Sequence, residues 1–260
     1  MEQYKGKTSD ERLLAIPSEA EASFIHSDPW RVLRIQSEFV RGLDALAELG
    51  PAVTLFGSAR TRVGDPEYAA AVDTARLLGK KGYSIVTGGG PGIMQAANEG
   101  AKLAAVKSIG LNIELPFEQH LNPYCDVSVD FRYFFVRKVM LVKVASAFVI
   151  FPGGYGTLDE LMEALTLVQT GKISNFPIIL YGSEYWSGLV KWLKDTVLPD
   201  GKISMSDIDL LRIVDTPEEV VRIVSATTIM GKDRDHQLNI ERASLAEAAK
   251  AYAPPPFALQ

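Results

Sequence analysis

A strand that ends in a glycine-rich turn and leads into a helix constrains the fold of this chain more than any other feature. The apolar run 147–152 precedes a turn with the sequence GGYGT at 153–157. Apolar residues at helical spacing follow the turn, namely Leu158, Leu161, Met162, Leu165 and Val168. Glycines let a backbone approach a ligand, and the free N–H groups at a helix start attract an anion. The turn therefore predicts a phosphate site, with the carboxylates of Asp159 and Glu160 beside it.

The same pattern occurs three times, because glycines also follow apolar runs at residue 57 and at 88–92. Each turn on its own is equally compatible with a tight connection between a strand and a helix. In a parallel sheet all three turns lie at one edge, where ligands bind at the point of strand-order reversal. Together they favour a nucleotide or sugar-phosphate ligand.

Continuous apolar runs alternating with helical segments predict an α/β fold, a doubly wound Rossmann-like parallel sheet with helices on both faces. The predicted strands are 52–56, 83–87, 108–115, 127–131, 148–151, 177–181 and 211–214. The predicted helices are 29–48, 65–81, 93–105, 133–145, 158–170, 185–198 and 217–225. We predict a single domain over residues 28–230, a polar N-terminal extension over 1–27 and a C-terminal tail over 231–260.

Composition limits the compartment and the partners. The formal net charge of −5 argues against broad nucleic-acid binding, which needs a basic face. The single cysteine, Cys125, excludes an internal disulfide and favours a reducing compartment. The sequence has neither a signal-like start nor a run of 18 apolar residues, so we expect a cytoplasmic protein with no membrane partner. The three histidines have no metal-ligand spacing, and we expect neither a metal nor a cofactor.

Two common phosphate motifs are excluded by what the turns lack. A P-loop needs a lysine followed by serine or threonine, which neither glycine-dense turn has. A dinucleotide fingerprint needs a third glycine for close helix–strand packing, but Asp159 and Gln95 occupy that position in the two turns. The sequence therefore disfavours a nucleoside triphosphate or NAD.

A stretch of twelve residues before the GGYGT turn contains four cations, namely Arg132, Arg137, Lys138 and Lys143. The plain interpretation of each is an exposed helix face with a buried aliphatic stem. The alternative is that Arg137 or Lys138 faces the ligand edge, where an arginine fork suits a phosphate or a carboxylate. Either Asp159 or Glu160 could likewise serve only the helix dipole.

Three motifs resemble the Lonely Guy (LOG) family, whose members are cytokinin riboside 5′-monophosphate phosphoribohydrolases, many once labelled lysine decarboxylases. The motifs are GGGPGIM at 88–94, Arg137-Lys138 with Met140, and PGGYGTLDE at 152–160. The resemblance covers about residues 50–225, and the run LNIELPFEQH at 111–120 is similar to the longer, bacterial branch. It implies Arg137 and Glu160 as the catalytic pair, with Arg137 contacting either Glu160 or the substrate. The predicted substrate-binding residues are Ser58, Gly89, Gly90, Met94, Glu118, Lys138, Gly153, Gly154, Tyr155, Gly156, Thr157, Asp159 and Thr166.

The resemblance implies a hydrolase that cleaves the N-glycosidic bond of nucleoside 5′-monophosphates, AMP or N6-prenylated AMP, to free base and ribose 5-phosphate. It also implies a homo-oligomer, a dimer or a hexamer of dimeric units. The alternative is a noncatalytic nucleotide-binding or carrier protein of the same fold. A pyridoxal-dependent decarboxylase would need a Schiff-base lysine, and no sequence context marks one.

Overall fold

One parallel sheet organises the computed structural model of the chain, which describes residues 8–14, 24–115, 121–174 and 176–227. Within these residues the strands are β1 (Ala52–Phe56), β2 (Ser84–Thr87), β3 (Ser108–Ile113), β4 (Val127–Phe131), β5 (Ala145–Ile150), β6 (Ile178–Tyr181) and β7 (Leu211–Val214). The helices are α1 (Ser9–Leu14), α2 (Phe24–Ala45), α3 (Pro66–Lys80), α4 (Ile93–Leu103), α5 (Phe134–Lys143), α6 (Tyr155–Gln169), α7 (Ser183–Trp192), α8 (Met205–Ile208) and α9 (217–227). A π-helical turn, Leu193–Val197, extends α7.

The strand order is β4-β3-β2-β1-β5-β6-β7, and every pair is parallel. The order runs outward from β1 in one direction and from β5 in the other. The point of reversal therefore lies between these two strands, where Phe56 pairs with Ile150. This arrangement confirms the predicted doubly wound sheet, and it brings the turns after β1 and β5 side by side.

Helices cover both faces of the sheet. Successive side chains of a strand point to opposite faces and so enter different apolar clusters. In β1, Ala52 and Phe56 enter one cluster with side chains of α5, α6 and α7. Val53 and Leu55 enter the other, with side chains of α3, α4 and α9. Small residues hold α3 against α4, since a Cβ at Gly100 would lie 2.2 Å from the carbonyl oxygen of Val72.

Three helical features differ from the sequence prediction. The helix predicted to start at Asp28-Pro29 begins at Phe24, so Pro29 lies inside α2 rather than at its first turn. The short helices α1 and α8 were not predicted because they have no apolar periodicity. Both are stabilised locally by capping boxes, Thr8 with Glu11 and Ser204 with Asp207.

The N-terminal helix α1 lies beside the start of α5. The backbone N–H of Phe134, the first residue of α5, donates to Asp10 Oδ2 at 3.0 Å, and Leu13 packs against the core. The proposed division of the chain at 27/28 and 230/231 remains a prediction, and the tail 231–260 lies outside the described residues. None of the helices in the described part of the chain is long and apolar enough to cross a membrane.

Candidate active site

A cavity of about 680 Å³ opens at the point where the strand order reverses. Its walls come from the turns that follow β1 and β5 and from the first turns of α4, α5, α6 and α7. The predicted site residues that line it are Ser58, Met94, Arg137, Gly153, Gly154, Tyr155, Gly156, Thr157, Asp159 and Glu160. The sheet order alone therefore gathers residues that are up to about a hundred positions apart in the chain.

Other predicted site residues lie elsewhere. Gly89, Gly90, Lys138 and Thr166 are outside the cavity lining, and Glu118 lies outside the described residues. Thr166 is exposed on α6, where its hydroxyl donates to the carbonyl of Met162 at 2.8 Å. Substrate contact by these residues remains a prediction.

The turn at 153–156 leaves helix α6 without a side-chain cap. Leu158 is the first residue of the helix whose N–H bonds back, to the carbonyl of Gly154 at 3.0 Å. The N–H groups of Tyr155, Gly156 and Thr157 precede that bond, in the part of a helix that lacks intrahelical acceptors. All three residues line the cavity, so their donors and the positive end of the helix dipole are available to an anion.

Two glycines of this turn are not required by the packing of the chain. A Cβ added at Gly154 or Gly156 would have no heavy atom within 4 Å beyond its chain neighbours and the nearby backbone of its own helix, and neither residue has a positive φ. Gly153 differs, because a Cβ there would lie 2.1 Å from Oγ1 of Thr157. Gly154 and Gly156 therefore keep space open in the cavity, whereas Gly153 allows the turn to fold back on its helix.

The turn at 88–92 has a structural explanation. Gly89 and Gly92 have positive φ values of 72° and 69°, and a Cβ at Gly92 would lie 2.3 Å from the carbonyl oxygen of Ser58. The buried amide of Asn122 donates to the carbonyls of Gly89 and Gly90 at 3.0 and 3.1 Å. This turn thus supports the neighbouring turn after β1, which faces the cavity.

Arg137 projects from α5 into the cavity wall and is fixed by the sheet. Its Nε donates to the carbonyl oxygen of Leu111 at a distance of 2.9 Å. Leu111 lies in the second half of β3. Gly88 makes room for the guanidinium, since a Cβ there would lie 2.6 Å from Nη2. Burial lowers the pKa of Arg137, and the nearby Glu160 carboxylate raises it. The side chain therefore presents a fixed positive charge beside Glu160.

Glu160 lies in the first turns of α6, and only 6% of the residue is exposed. Its Oε2 is buried and has no hydrogen-bond partner. Burial raises the pKa of this carboxyl group to about 7, although the charges of Arg137 and Lys138 lower it. An unpartnered buried acceptor in a cavity wall, with a pKa near neutrality, is a feature typical of a functional site.

Lys138 is held by carboxylates of α6. Its Nζ lies 2.9 Å from Asp159 Oδ2 and 3.2 Å from Glu163 Oε2. These ion pairs connect α5 to α6 behind Arg137 and Glu160. Among the described residues, no group of three or more His, Cys, Asp or Glu has the arrangement of a metal site.

Seven residues of the cavity wall were not predicted as site residues: Phe56, Gly57, Ala59, Arg60, Phe134, Leu158 and Tyr185. Arg60 is exposed, and its backbone N–H donates to Ser58 Oγ at 3.0 Å. Its place two residues beyond Ser58 was a usable signal, because the turn after β1 was already assigned to the ligand edge. Tyr185 had no such signal, since only the pairing of β6 with β5 brings α7 to the cavity.

Comparisons with known proteins agree with this geometry. The family profile described as "Possible lysine decarboxylase" matches residues 94–224. A probable cytokinin riboside 5′-monophosphate phosphoribohydrolase from Oryza sativa subsp. japonica is 30% identical over 162 residues, which cover 58% of this chain and 72% of that protein. The chain belongs to the LOG family.

Further relatives of this LOG family member include a cytokinin riboside 5′-monophosphate phosphoribohydrolase from Mycobacterium marinum. It is 27% identical over 158 residues, covering 60% of this chain and 83% of that protein. A solved structural genomics target is 26% identical, with a TM-score of 0.52 over 68% of this chain and 99% of that one. The molybdenum cofactor binding protein from Rippkaea orientalis has the same TM-score at 20% identity, covering 68% and 96% of the two chains, and shares the fold.

Proposed function

We propose that this LOG family member is a nucleoside 5′-monophosphate phosphoribohydrolase of the cytokinin-activating type. It cleaves the N-glycosidic bond of AMP or N6-prenylated AMP to give the free base and ribose 5-phosphate. One observation carries the proposal: the buried, unpartnered Oε2 of Glu160 lies just beyond an uncapped glycine turn and close to the charge of Arg137. The names of the relatives from rice and from Mycobacterium marinum support the same activity.

The phosphate binds at the start of α6 in this proposal. The N–H groups of Tyr155, Gly156 and Thr157 supply donors, and the missing side chains of Gly154 and Gly156 let the phosphate approach them. Arg60 supplies a cation at the same cavity. Lys138 forms ion pairs with Asp159 and Glu163 on α6, and its contact with the phosphate remains a prediction.

The reaction passes through an oxocarbenium-like state at C1′ of the ribose, as in glycoside hydrolysis generally. The bond between C1′ and the base nitrogen breaks, and the base leaves with the bonding electrons. The ionised Glu160 stabilises the developing cation and accepts a proton from the water that attacks C1′. The hydroxide part of the water bonds to C1′ and gives ribose 5-phosphate. The departing base gains one proton, so the two halves of the water molecule are accounted for.

Arg137 keeps Glu160 ionised for this task. Burial alone favours the neutral carboxyl group, and the guanidinium opposes it by favouring the carboxylate. The carbonyl of Leu111 and the space at Gly88 fix the orientation of the guanidinium. Arg137→Ala should therefore impair turnover severely, since it removes the charge that compensates for burial.

The test is base release from a nucleotide panel, measured by chromatography on AMP, N6-prenylated AMP, adenosine and ATP. Glu160→Gln should keep the fold and lower turnover by a hundredfold or more, since loss of an acid–base group typically costs about that much. Glu99→Gln is the matched control, because Glu99 bonds Tyr68 outside the cavity. Charge-assisted hydrogen bonds of about 1.5–3 kcal/mol each predict that AMP exceeds adenosine in kcat/KM by about a thousandfold.

Three outcomes would contradict the proposal. Glu160→Gln turnover above about a tenth of the wild-type rate would remove Glu160 from the mechanism. Tight binding of nucleoside monophosphates without base release would identify the alternative, a noncatalytic nucleotide-binding or carrier protein. Comparable rates on adenosine and AMP would assign the glycine turn to a structural connection only.

A further inference from the structure

Tyr185 lies on α7, outside the glycine-turn motifs, and contacts the GGYGT turn. Its phenol O–H donates to the carbonyl oxygen of Gly153 at 2.6 Å, and its ring lines the cavity. We infer that Tyr185 is a positioning residue that holds the peptide group between Gly153 and Gly154 in the orientation suited to a phosphate. The inference rests on the phosphate site of the proposed function.

The half-exposed side chain of Tyr185 is supported on its buried side by the fold. The ring packs edge-on against Trp186, with centroids 4.9 Å apart and an interplanar angle of 82°. Trp186 is buried, and its indole N–H donates to the carbonyl of Tyr181 at 3.1 Å. The first N–H of α7, at Ser183, donates to Asp215 Oδ1 at 2.7 Å. The phenol therefore lies in the first turn of α7. This helix is anchored to the core through Trp186 and at its first residue through Asp215.

The geometry of the peptide bond transmits this constraint. In a planar trans peptide the C=O and the following N–H point in opposite directions. When Tyr185 holds the carbonyl of Gly153, it also sets the direction of the N–H of Gly154, the residue that precedes α6. Thr157 limits movement on the other side, since its side chain occupies the space beside the Cα of Gly153.

The constraint matters because two adjacent glycines make this peptide group easy to rotate. In this inference the N–H of Gly154 joins those of Tyr155, Gly156 and Thr157 as a phosphate donor, and a rotated peptide would replace it with a carbonyl oxygen that faces the anion. Repulsion between that oxygen and a phosphate would weaken binding. The hydrogen bond from Tyr185 disfavours the rotated state before the ligand arrives, so the turn is preorganised.

The experiment measures phosphate binding directly. Titration calorimetry with ribose 5-phosphate and with inorganic phosphate compares the wild type with Tyr185→Phe, which keeps the ring and loses only the O–H. We expect Kd for ribose 5-phosphate to rise about fivefold, the change that one neutral hydrogen bond supports. The KM for AMP should rise by a similar factor, while kcat changes less than about twofold.

Tyr68→Phe is the matched control. Tyr68 is buried between α3 and α4, and its phenol donates to Glu99 Oε2 at 2.8 Å, outside the cavity. This variant also loses one phenol hydrogen bond, and it should bind ribose 5-phosphate as the wild type does. Circular dichroism and Tm would establish that both variants fold.

Unchanged binding in Tyr185→Phe, or equal weakening in both variants, would overturn the inference. A wild-type protein that binds neither phosphate nor ribose 5-phosphate would overturn it as well. Weaker ribose 5-phosphate binding in Tyr185→Phe alone would support it, even if no nucleotide is hydrolysed. In that last case the inference stands and the proposed enzymatic function fails, so the two are tested separately.

Discussion

The pKa of the Glu160 carboxyl group is higher in the folded protein than in the unfolded chain. Its pKa rises from an ordinary 4.5 to about 7, chiefly because of burial. Below pH 4.5 the Glu160 carboxyl group is protonated in both the folded and unfolded states. Its favourable contribution to the free energy of unfolding is then fully present. That contribution is lost as the pH rises through about 7. A shift of this size corresponds to about 3 kcal/mol, at about 1.4 kcal/mol per pH unit.

Glu160→Gln should therefore stabilise the protein at neutral and alkaline pH while removing activity. Its advantage in unfolding free energy over the wild type should grow between about pH 4.5 and 7 and stay constant above that range. Thermal or urea unfolding over pH 4.5–8.5 measures it, with Glu99→Gln as the control. A stability difference that does not vary with pH would contradict the assigned titration of Glu160.

At the residue level, the sequence motifs predicted Arg137 and Glu160 as a catalytic pair, and the structure places both residues in the lining of one cavity. The motifs could not predict the partners of Lys138, because an i to i+1 neighbour on a helix faces a different direction. Arg137 therefore reaches Leu111 and the cavity, while Lys138 reaches Asp159 and Glu163 on α6. Such differences depend on helix orientation, which a single sequence does not specify.

At the level of elements, the glycine turns that look alike in sequence differ in what surrounds them. Positive φ values and close backbone contacts explain Gly89 and Gly92, whereas open space surrounds Gly154 and Gly156. Strands were predicted to within a few residues because buried parallel strands are continuous apolar runs. The placement of α7 over the GGYGT turn depends on the pairing of β6 with β5, which leaves no local signal in the sequence.

Gly156→Ala tests the open space at the start of α6. Alanine suits a helix better than glycine, so the free energy of unfolding should rise by up to about 1 kcal/mol. The added methyl group would occupy cavity space, and we expect KM for AMP to rise tenfold or more. Gly188→Ala is a close control, because Gly188 lies inside α7, has no heavy atom within 4 Å of an added Cβ beyond its chain neighbours and the nearby backbone of its own helix, and does not line the cavity.

Equal effects of Gly156→Ala and Gly188→Ala on KM would contradict the assignment of Gly156 to the ligand. Urea unfolding and steady-state kinetics on the same preparations separate stability from activity. A loss of stability in Gly156→Ala would instead show that the turn requires glycine for its own backbone.

At the level of the whole molecule, the neighbouring helices α2 and α5 both expose large apolar side chains. These side chains are Trp30, Val32, Leu33, Val40, Leu43, Phe134, Phe135 and Val139. Soluble monomers rarely expose large contiguous apolar patches, and such surfaces commonly mark contacts between proteins. Phe134 also lines the cavity, so this surface adjoins the proposed site.

We therefore expect a homo-oligomer, a dimer or a hexamer of dimeric units. Light scattering at micromolar concentration should give a mass well above the 28.4 kDa of one chain. Val40→Asp places a charge on the exposed face of α2 and should shift the mass toward the monomer, whereas Val63→Asp, exposed in the turn after β1, should not. A wild-type mass near that of one chain would sink the prediction.

The pairing of β1 with β5 also affects how the site can form during folding. The two strands are adjacent in the sheet but are separated by about ninety residues of chain. Closing so long a loop carries an entropy cost that local helix formation does not, and such contacts slow folding. The turn after β1 therefore cannot become half of a phosphate site until the chain has been synthesised through α6. Nucleotide binding should consequently report the pairing of β1 with β5, and no earlier stage of folding.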